Sequence, residues 1–209
     1  MMSAMDPPLQ ERVYLGLKAD YLAGHFVPGK RIDIQDLANR HHSSKTPVRE
    51  AAFIFVGEGL FIHHEDGGFL VPVLEPAELI PLLRWHMQLV LASTSDLKEP
   101  ALRRALQQGS NNAGNRSAVA FAARAMEIFT SLAEAGGNKQ ASIDIRRLNE
   151  RLHYTRIADA VEPKSAEREL SALTSPLAAD FRKALRRRIE TYHLRKILHQ
   201  QQIVETATA

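Results

Sequence analysis

Ser44-Lys45-Thr46-Pro47-Val48-Arg49-Glu50-Ala51, closed by Gly57-Glu58-Gly59-Leu60, decides how the chain is read. Ser44 is a good helix N-cap, and its hydroxyl is expected to accept from an orphan amide near Pro47. Proline is favoured in a first helical turn, where its missing N–H costs nothing. Val48, Ala51, Ala52, Phe55 and Val56 then supply an apolar face, and the glycines stop the helix. The opening turn projects Ser44, Lys45, Thr46 and Arg49 together, at a helix end that carries partial positive charge and free amides.

The sequence around this helix adds two more helices and a hairpin. Leu9, Val13, Leu17 and Leu22 form one stripe, with Tyr14 and Tyr21 beside it and Gly24 as a stop. Val27-Pro28-Gly29-Lys30 makes a turn, and Asp33 caps a second short helix from Ile34 to Arg40. After the third helix, Phe61 to His64 and Phe69 to Val73 read as short strands around the turn Glu65-Asp66-Gly67-Gly68. Three helices and a β-hairpin make a winged helix-turn-helix, expected over residues 8–73.

From residue 78 to 205 the pattern is helical throughout. Leu79, Leu82, Leu83, His86, Leu89 and Val90 form one stripe, and Ala122, Ala125, Met126, Phe129, Leu132 and Ala133 another. Ile145, Leu148 and Leu152, continuing toward Ile157, form a third, and Leu177, Phe181, Leu185, Ile189 and Tyr192 a fourth. Loops are expected at 110–115 and at Ala135-Gly136-Gly137-Asn138. The fold expected is mainly α: a winged helix followed by an all-α antiparallel helical bundle.

Composition narrows the function. Of 209 residues, 44% are hydrophobic and 24% charged, as in a folded globular chain. There is no cysteine, which excludes disulfides, thiolate metal sites and cysteine nucleophiles. No apolar run reaches the roughly 18 residues of a membrane span. Met1 to Pro8 lacks the pattern of a signal peptide, so a cytoplasmic location is expected. No nucleophile–base pair, phosphate-cradling glycine loop or carboxylate pair at catalytic spacing is present, so no enzymatic activity is expected. Net charge is +3, but the first 73 residues hold seven basic and nine acidic side chains. A nucleic-acid argument therefore rests on local geometry, not on bulk charge.

The Ser44–Ala51 and Gly57–Leu60 segments, with Gly24-His25-Phe26-Val27-Pro28-Gly29 and Asp36-Leu37-Ala38 upstream, resemble the signature of the GntR family of transcription regulators. The helical remainder is similar in size and layout to the C-terminal effector domain of the FadR subfamily, the FCD domain. That similarity rests on Leu82-Leu83-Arg84, on Phe129 to Asn138 and on Tyr192-His193-Leu194. The resemblance implies a homodimer on a palindromic double-stranded DNA operator, acting as a repressor or activator, with a small-molecule effector that is expected to be a carboxylate. It also implies DNA contacts from Ser44, Lys45, Thr46 and Arg49, the arginine being suited to bidentate pairing with guanine. Gln35 falls at a DNA-contacting position, Lys30 and Arg31 can add charge, and Gly67 and Gly68 can offer backbone contacts from the wing.

The sequence also departs from the family pattern. Lys45 stands where arginine is usual and lacks its planar fork. Phe53 and Ile54 take positions usually polar in the recognition helix, and the wing tip carries Glu65 and Asp66. An acidic wing weakens phosphate binding. The alternative function is a helical interaction module whose DNA binding has decayed.

FCD domains commonly hold a divalent metal through one Asp and three His. Placed by Phe129 and Gly137-Asn138, the Asp position falls on Met126, the next His on Thr130 and a third near Leu170; only His193 remains. One imidazole does not make a metal site, so no cofactor is expected. A second register uses Asn149 and His153, four apart on one helix, with His193. Without metal, Arg84, Arg124, Arg146 and His193 are the candidate effector ligands, since arginines pair well with carboxylates.

Overall fold

The computed structural model describes residues 8–108, 116–175 and 180–208. They form two compact units that divide between Val73 and Leu74.

The first unit contains α1 (Leu9–Leu22), α2 (Ile34–Arg40) and α3 (Lys45–Gly57), then β1 (Ile62–His63) and β2 (Phe69–Leu70). Its core joins Val13, Leu17 and Tyr21 of α1 to Val48, Ala52 and Phe55 of α3, with Leu60, Phe61 and Phe69 beneath the hairpin. Tyr21, Phe55 and Phe61 meet edge-on or tilted, with ring centroids 4.9–6.3 Å apart. The strands pair antiparallel with Ile62 opposite Leu70 and His63 opposite Phe69. They are shorter than expected, because the flanking backbone groups bond elsewhere: the Phe61 amide donates to the Phe55 carbonyl and the Val71 carbonyl accepts from the Gly29 amide. An isolated bridge from Arg31 to Leu70 ties the turn before α2 to the wing.

The second unit contains α4 (Pro76–Thr94), α5 (Glu99–Gln108), α6 (Ala118–Ala135), α7 (Lys139–Arg151), α8 (His153–Asp159), α9 (Pro163–Thr174) and α10 (Phe181–Thr208). The apolar α6 packs against α4, α5, α7, α8 and α9, while α10 lies along α4 and touches α9. Ile128, Phe129, Leu132, Ile145 and Ile189 are fully buried between them. The stripe from Ile145 toward Ile157 is broken rather than continuous, because Leu152 closes α7 and the chain restarts at His153. The loop expected at 110–115 and Leu177 of the last stripe lie outside the described residues.

Candidate functional site

Asp33 caps α2 as its sequence predicts, its carboxylate accepting from the Gln35 and Asp36 amides at 2.7 and 3.2 Å. Ser44 caps α3 differently. It holds the extended backbone of an N-cap but makes no side-chain capping hydrogen bond. Pro47 removes one of the two amides that a cap can use, because it occupies the third helical position and has no N–H. The Ser44 hydroxyl and the first amides of α3 are left for an outside acceptor.

Ser44, Lys45, Thr46 and Arg49 are all exposed on this end, as is Gln35 on α2. Lys45, Arg49 and Phe53 recur every four residues and so share one face of α3. That face forms one wall of an open groove of about 490 Å³, which Gln35, Arg31, His63 and Gly68 complete. Phe53 stacks on His63 at 6.3 Å and meets Phe69 edge-on at 5.0 Å, so this departure from the family pattern braces the wing against α3.

The wing tip lacks an arginine of its own, and Arg31 stands over it. Its guanidinium lies so close to Gly68 that a Cβ there would come within 2.8 Å of Nε. Nη2 donates to the Asp66 carbonyl at 3.4 Å. Gly67 and Gly68 both take positive φ, +83° and +88°, which bends the turn beneath the arginine. Lys30 is exposed on the same approach. Arg31 thus brings a cation to a tip whose own side chains are acidic.

The paired histidines divide. His42 and His63 are exposed. His41 is not a surface group: its Nε2 lies 3.0 Å from Asp20, which also meets His25 and Arg40 at 3.1 and 3.2 Å. This cluster ties the turn before α3 to α1.

In the helical unit the candidate arginines correct the sequence reading. Arg84 is exposed rather than inward. It precedes the buried His86 by two residues, about 200° around the helix, and so points away. Arg146 is exposed and pairs with Glu134 at 2.7 Å. Arg124 is buried, but its charge is spent on Glu167 at 3.0 Å, and that hydrogen bond holds the Glu167 carboxyl below its ordinary range.

His193 is fully buried in a chain of polar contacts that sequence reasoning missed. Its Nδ1 lies 2.7 Å from the Ile189 carbonyl and its Nε2 2.8 Å from His86 Nδ1. His86 Nε2 in turn lies 3.0 Å from the Asn149 amide. Met126 and Thr130 complete the cluster, since the Asn149 side chain reaches the Met126 carbonyl at 3.3 Å and Thr130 Oγ1 at 3.1 Å. The chain joins α4, α6, α7 and α10. His86 sat inside an apolar stripe in the sequence, and only its polarity marked it out.

Protons decide how this chain is wired. The Ile189 contact requires N–H at His193 Nδ1, so Nε2 accepts and His86 donates from Nδ1. The Asn149 amide nitrogen donates to the Met126 carbonyl and to Thr130 Oγ1, so its oxygen faces His86 Nε2. With an amide oxygen at one end of the chain and a carbonyl at the other, satisfying every contact calls for three protons on the two rings. Burial, with Arg156 adjacent, opposes that third proton and pushes His86 well below the ordinary histidine range and His193 down to about 3.

The same contacts test the metal implied by the resemblance. Every ring nitrogen of His86 and His193 already faces a protein partner, and Met126 and Thr130 supply no charged ligand. His153 is fully buried one turn beyond Asn149, but Asn149 and His193 are both engaged with His86. The residues present do not fit a divalent ion.

No family model matches the chain. Among curated proteins it is similar to the Nta operon transcriptional regulator of Aminobacter aminovorans, 27% identical over 161 residues that cover 74% of this chain and 76% of the relative. It is also similar to the uncharacterized HTH-type transcriptional regulator YdhC of Bacillus subtilis, 24% identical over 77% of this chain and 75% of that one. Among solved structures, McbR/YncC of E. coli superposes with a TM-score of 0.71 at 20% identity, covering 98% of this chain and 100% of that one. A structure described as the transcriptional regulator GntR from Rhodococcus sp. RHA1 superposes with a TM-score of 0.74 at 17% identity, covering 92% and 97%. Both curated relatives are regulators rather than enzymes. The chain has the architecture of the GntR-type transcription regulators, a winged helix-turn-helix followed by an all-helical domain.

Proposed function

We propose that the protein is a ligand-responsive transcription regulator of the GntR family, FadR type, which binds a palindromic operator as a cytoplasmic homodimer. The observation that carries this reading is the open N-terminus of α3. Lys45, Thr46 and Arg49 are exposed beside a hydroxyl that makes no cap, and Arg31 flanks them from the wing. In winged helices this end of the recognition helix enters the major groove. Arg49 reads guanine, Ser44 and Thr46 donate to phosphate oxygens, and Lys45, Lys30 and Arg31 supply charge.

Two copies would place two such helices on half-sites of a palindrome. The helical domain would bind a small metabolite without a resident metal, and the ligand would shift the population between spacings that fit the operator and spacings that do not.

Fluorescence anisotropy with DNA from the promoter beside its own gene tests the reading. Steeply salt-dependent, sequence-selective binding that Arg49→Ala abolishes is the expected result. Absent or salt-independent binding would instead favour the interaction module, for which the acidic wing residues Glu65 and Asp66 are the motive.

A further inference from the structure

Arg156 of α8 is a buried cation of the helical domain. It is 5% exposed, yet its Nη2 has no hydrogen-bond partner. Its Nη1 makes only a long contact, 3.5 Å, with the Asn149 carbonyl, and its guanidinium lies 5.6 Å from the Phe129 ring. Tyr192 and Asp159 offset part of its charge, but a buried guanidinium whose Nη2 has no partner calls for an explanation.

The guanidinium lines a small cavity between α6, α8, α9 and α10, whose walls are alanines and whose other polar groups are Tyr192, Asp159, Glu169 and Lys196. At about 20 Å³ the cavity holds one water. Its mouth is an ion-pair cluster: Lys196 Nζ lies 2.9 Å from Asp159 and 3.3 Å from Glu169, with the three side chains 13%, 25% and 22% exposed. The interior is thus closed by groups that reach solvent and can exchange partners. Two cations and two anions line it, so it is neutral when empty.

We propose that this cavity is the effector site and that its ligand is a small aminocarboxylate, whose carboxylate pairs with Arg156 Nη2 and whose ammonium joins Lys196 on Asp159 and Glu169. The proposal rests on the reading that the helical domain binds an effector. A simple carboxylate leaves the site one charge negative, and an amine leaves it one charge positive. A zwitterion keeps it neutral, which matters where a buried charge is screened poorly. The carboxylate supplies the fork that a planar guanidinium matches. Shifting Lys196 aside while it stays paired with Asp159 and Glu169 opens the space that the empty cavity lacks, and moves α10 against α8 and α9.

Isothermal titration calorimetry and thermal melting of the full-length protein test this without DNA. The probes are glycine, L-alanine, β-alanine and L-glutamate, set against acetate, propionate and glutarate, which lack the amino group. At least one amino acid is expected to bind saturably and raise the melting temperature, with affinity at least tenfold above that of its deaminated partner. No binding by any of the four, or equal binding by the deaminated acid, would overturn the proposal. Arg156→Met is expected to remove the shift while leaving the ligand-free melting temperature unchanged or higher, because it deletes a buried, incompletely hydrogen-bonded charge. A ligand-free fall of more than about 5 °C would mark Arg156 as structural and also overturn it. Failure here leaves the promoter titration free to succeed, so the two readings fail separately.

Discussion

His86 and His193 meet ring to ring, Nδ1 to Nε2 at 2.8 Å, with neither side chain exposed. The contact joins α4 to α10, the long helices that run along one another. Both rings are held neutral by burial. In the unfolded chain each returns to the ordinary histidine value of about 6.5. Between that value and the depressed folded values, the unfolded state binds more protons, so stability falls with acid. The contribution is complete above pH 6.5 and is lost as pH drops toward about 3, the value for His193. Each histidine adds a slope of about 1.4 kcal/mol per pH unit in that window. Thermal melts of the wild type from pH 7.5 to 4 should fall more steeply than those of a His86→Gln variant. Parallel curves would show that the pair is not buried neutral.

The same pair predicts indifference to chelators. A metal in this domain would have to displace hydrogen bonds at every ring nitrogen of His86 and His193. Protein purified without added metal and then dialysed against EDTA should keep its melting temperature, and elemental analysis should find well under one ion per chain. Added zinc, nickel or manganese should leave the melt unchanged at pH 7.5. A stoichiometric ion that EDTA removes with a loss of stability would mean that Asn149, His153 and His193 rearrange into a site.

Local signals made the winged helix legible. Asp33 and Ser44 mark helix starts, Glu65 to Gly68 marks the hairpin, and the α3 motif is short and dense. Burial in the helical domain was legible as stripes, because a period of 3.6 reports which face is inward. Chemistry in that domain was not legible. Arg84 stood as a candidate effector ligand, yet it sits two residues from the buried His86 and faces out. Arg156 gave no signal at all, because its burial comes from α6, α9 and α10, which only tertiary packing brings around it. His41 gave no signal either: Asp20, which holds it, lies 21 residues away.

Arg49 and Lys45 should fail differently. Arg49→Ala removes a fork suited to a base edge and should cost about 1–3 kcal/mol per half-site, relaxing selectivity between operator and mutated operator. Lys45→Ala should weaken all sequences alike and flatten the dependence of log affinity on log salt by about one unit per copy. Arg31→Ala should behave as Lys45→Ala does, since Arg31 carries the cation that stands over the wing. Anisotropy titrations at several salt concentrations separate the two classes. Equal loss of specific and non-specific binding in Arg49→Ala would remove the guanine-reading role.

Gly16 faces His41 across the first unit, and a Cβ there would come within 2.6 Å of His41 Nδ1 and 2.8 Å of Cε1. Helix propensity alone predicts that Gly16→Ala stabilises α1 by about 1 kcal/mol. The contact reverses the sign. The imidazole cannot swing away cheaply, because Nε2 is held by Asp20, which also meets His25 and Arg40. Overpacking should therefore cost roughly 1–3 kcal/mol, read as a lower melting temperature. His41 begins the turn into α3, and His42 beside it takes a positive φ of 48°. Displacing His41 should tilt the recognition helix, so DNA affinity should fall together with stability. Adding His41→Ala to Gly16→Ala removes the obstacle, and the pair should recover most of the stability lost by the glycine change alone. A Gly16→Ala protein more stable than the wild type would show that His41 moves freely and that Asp20 does not hold the turn.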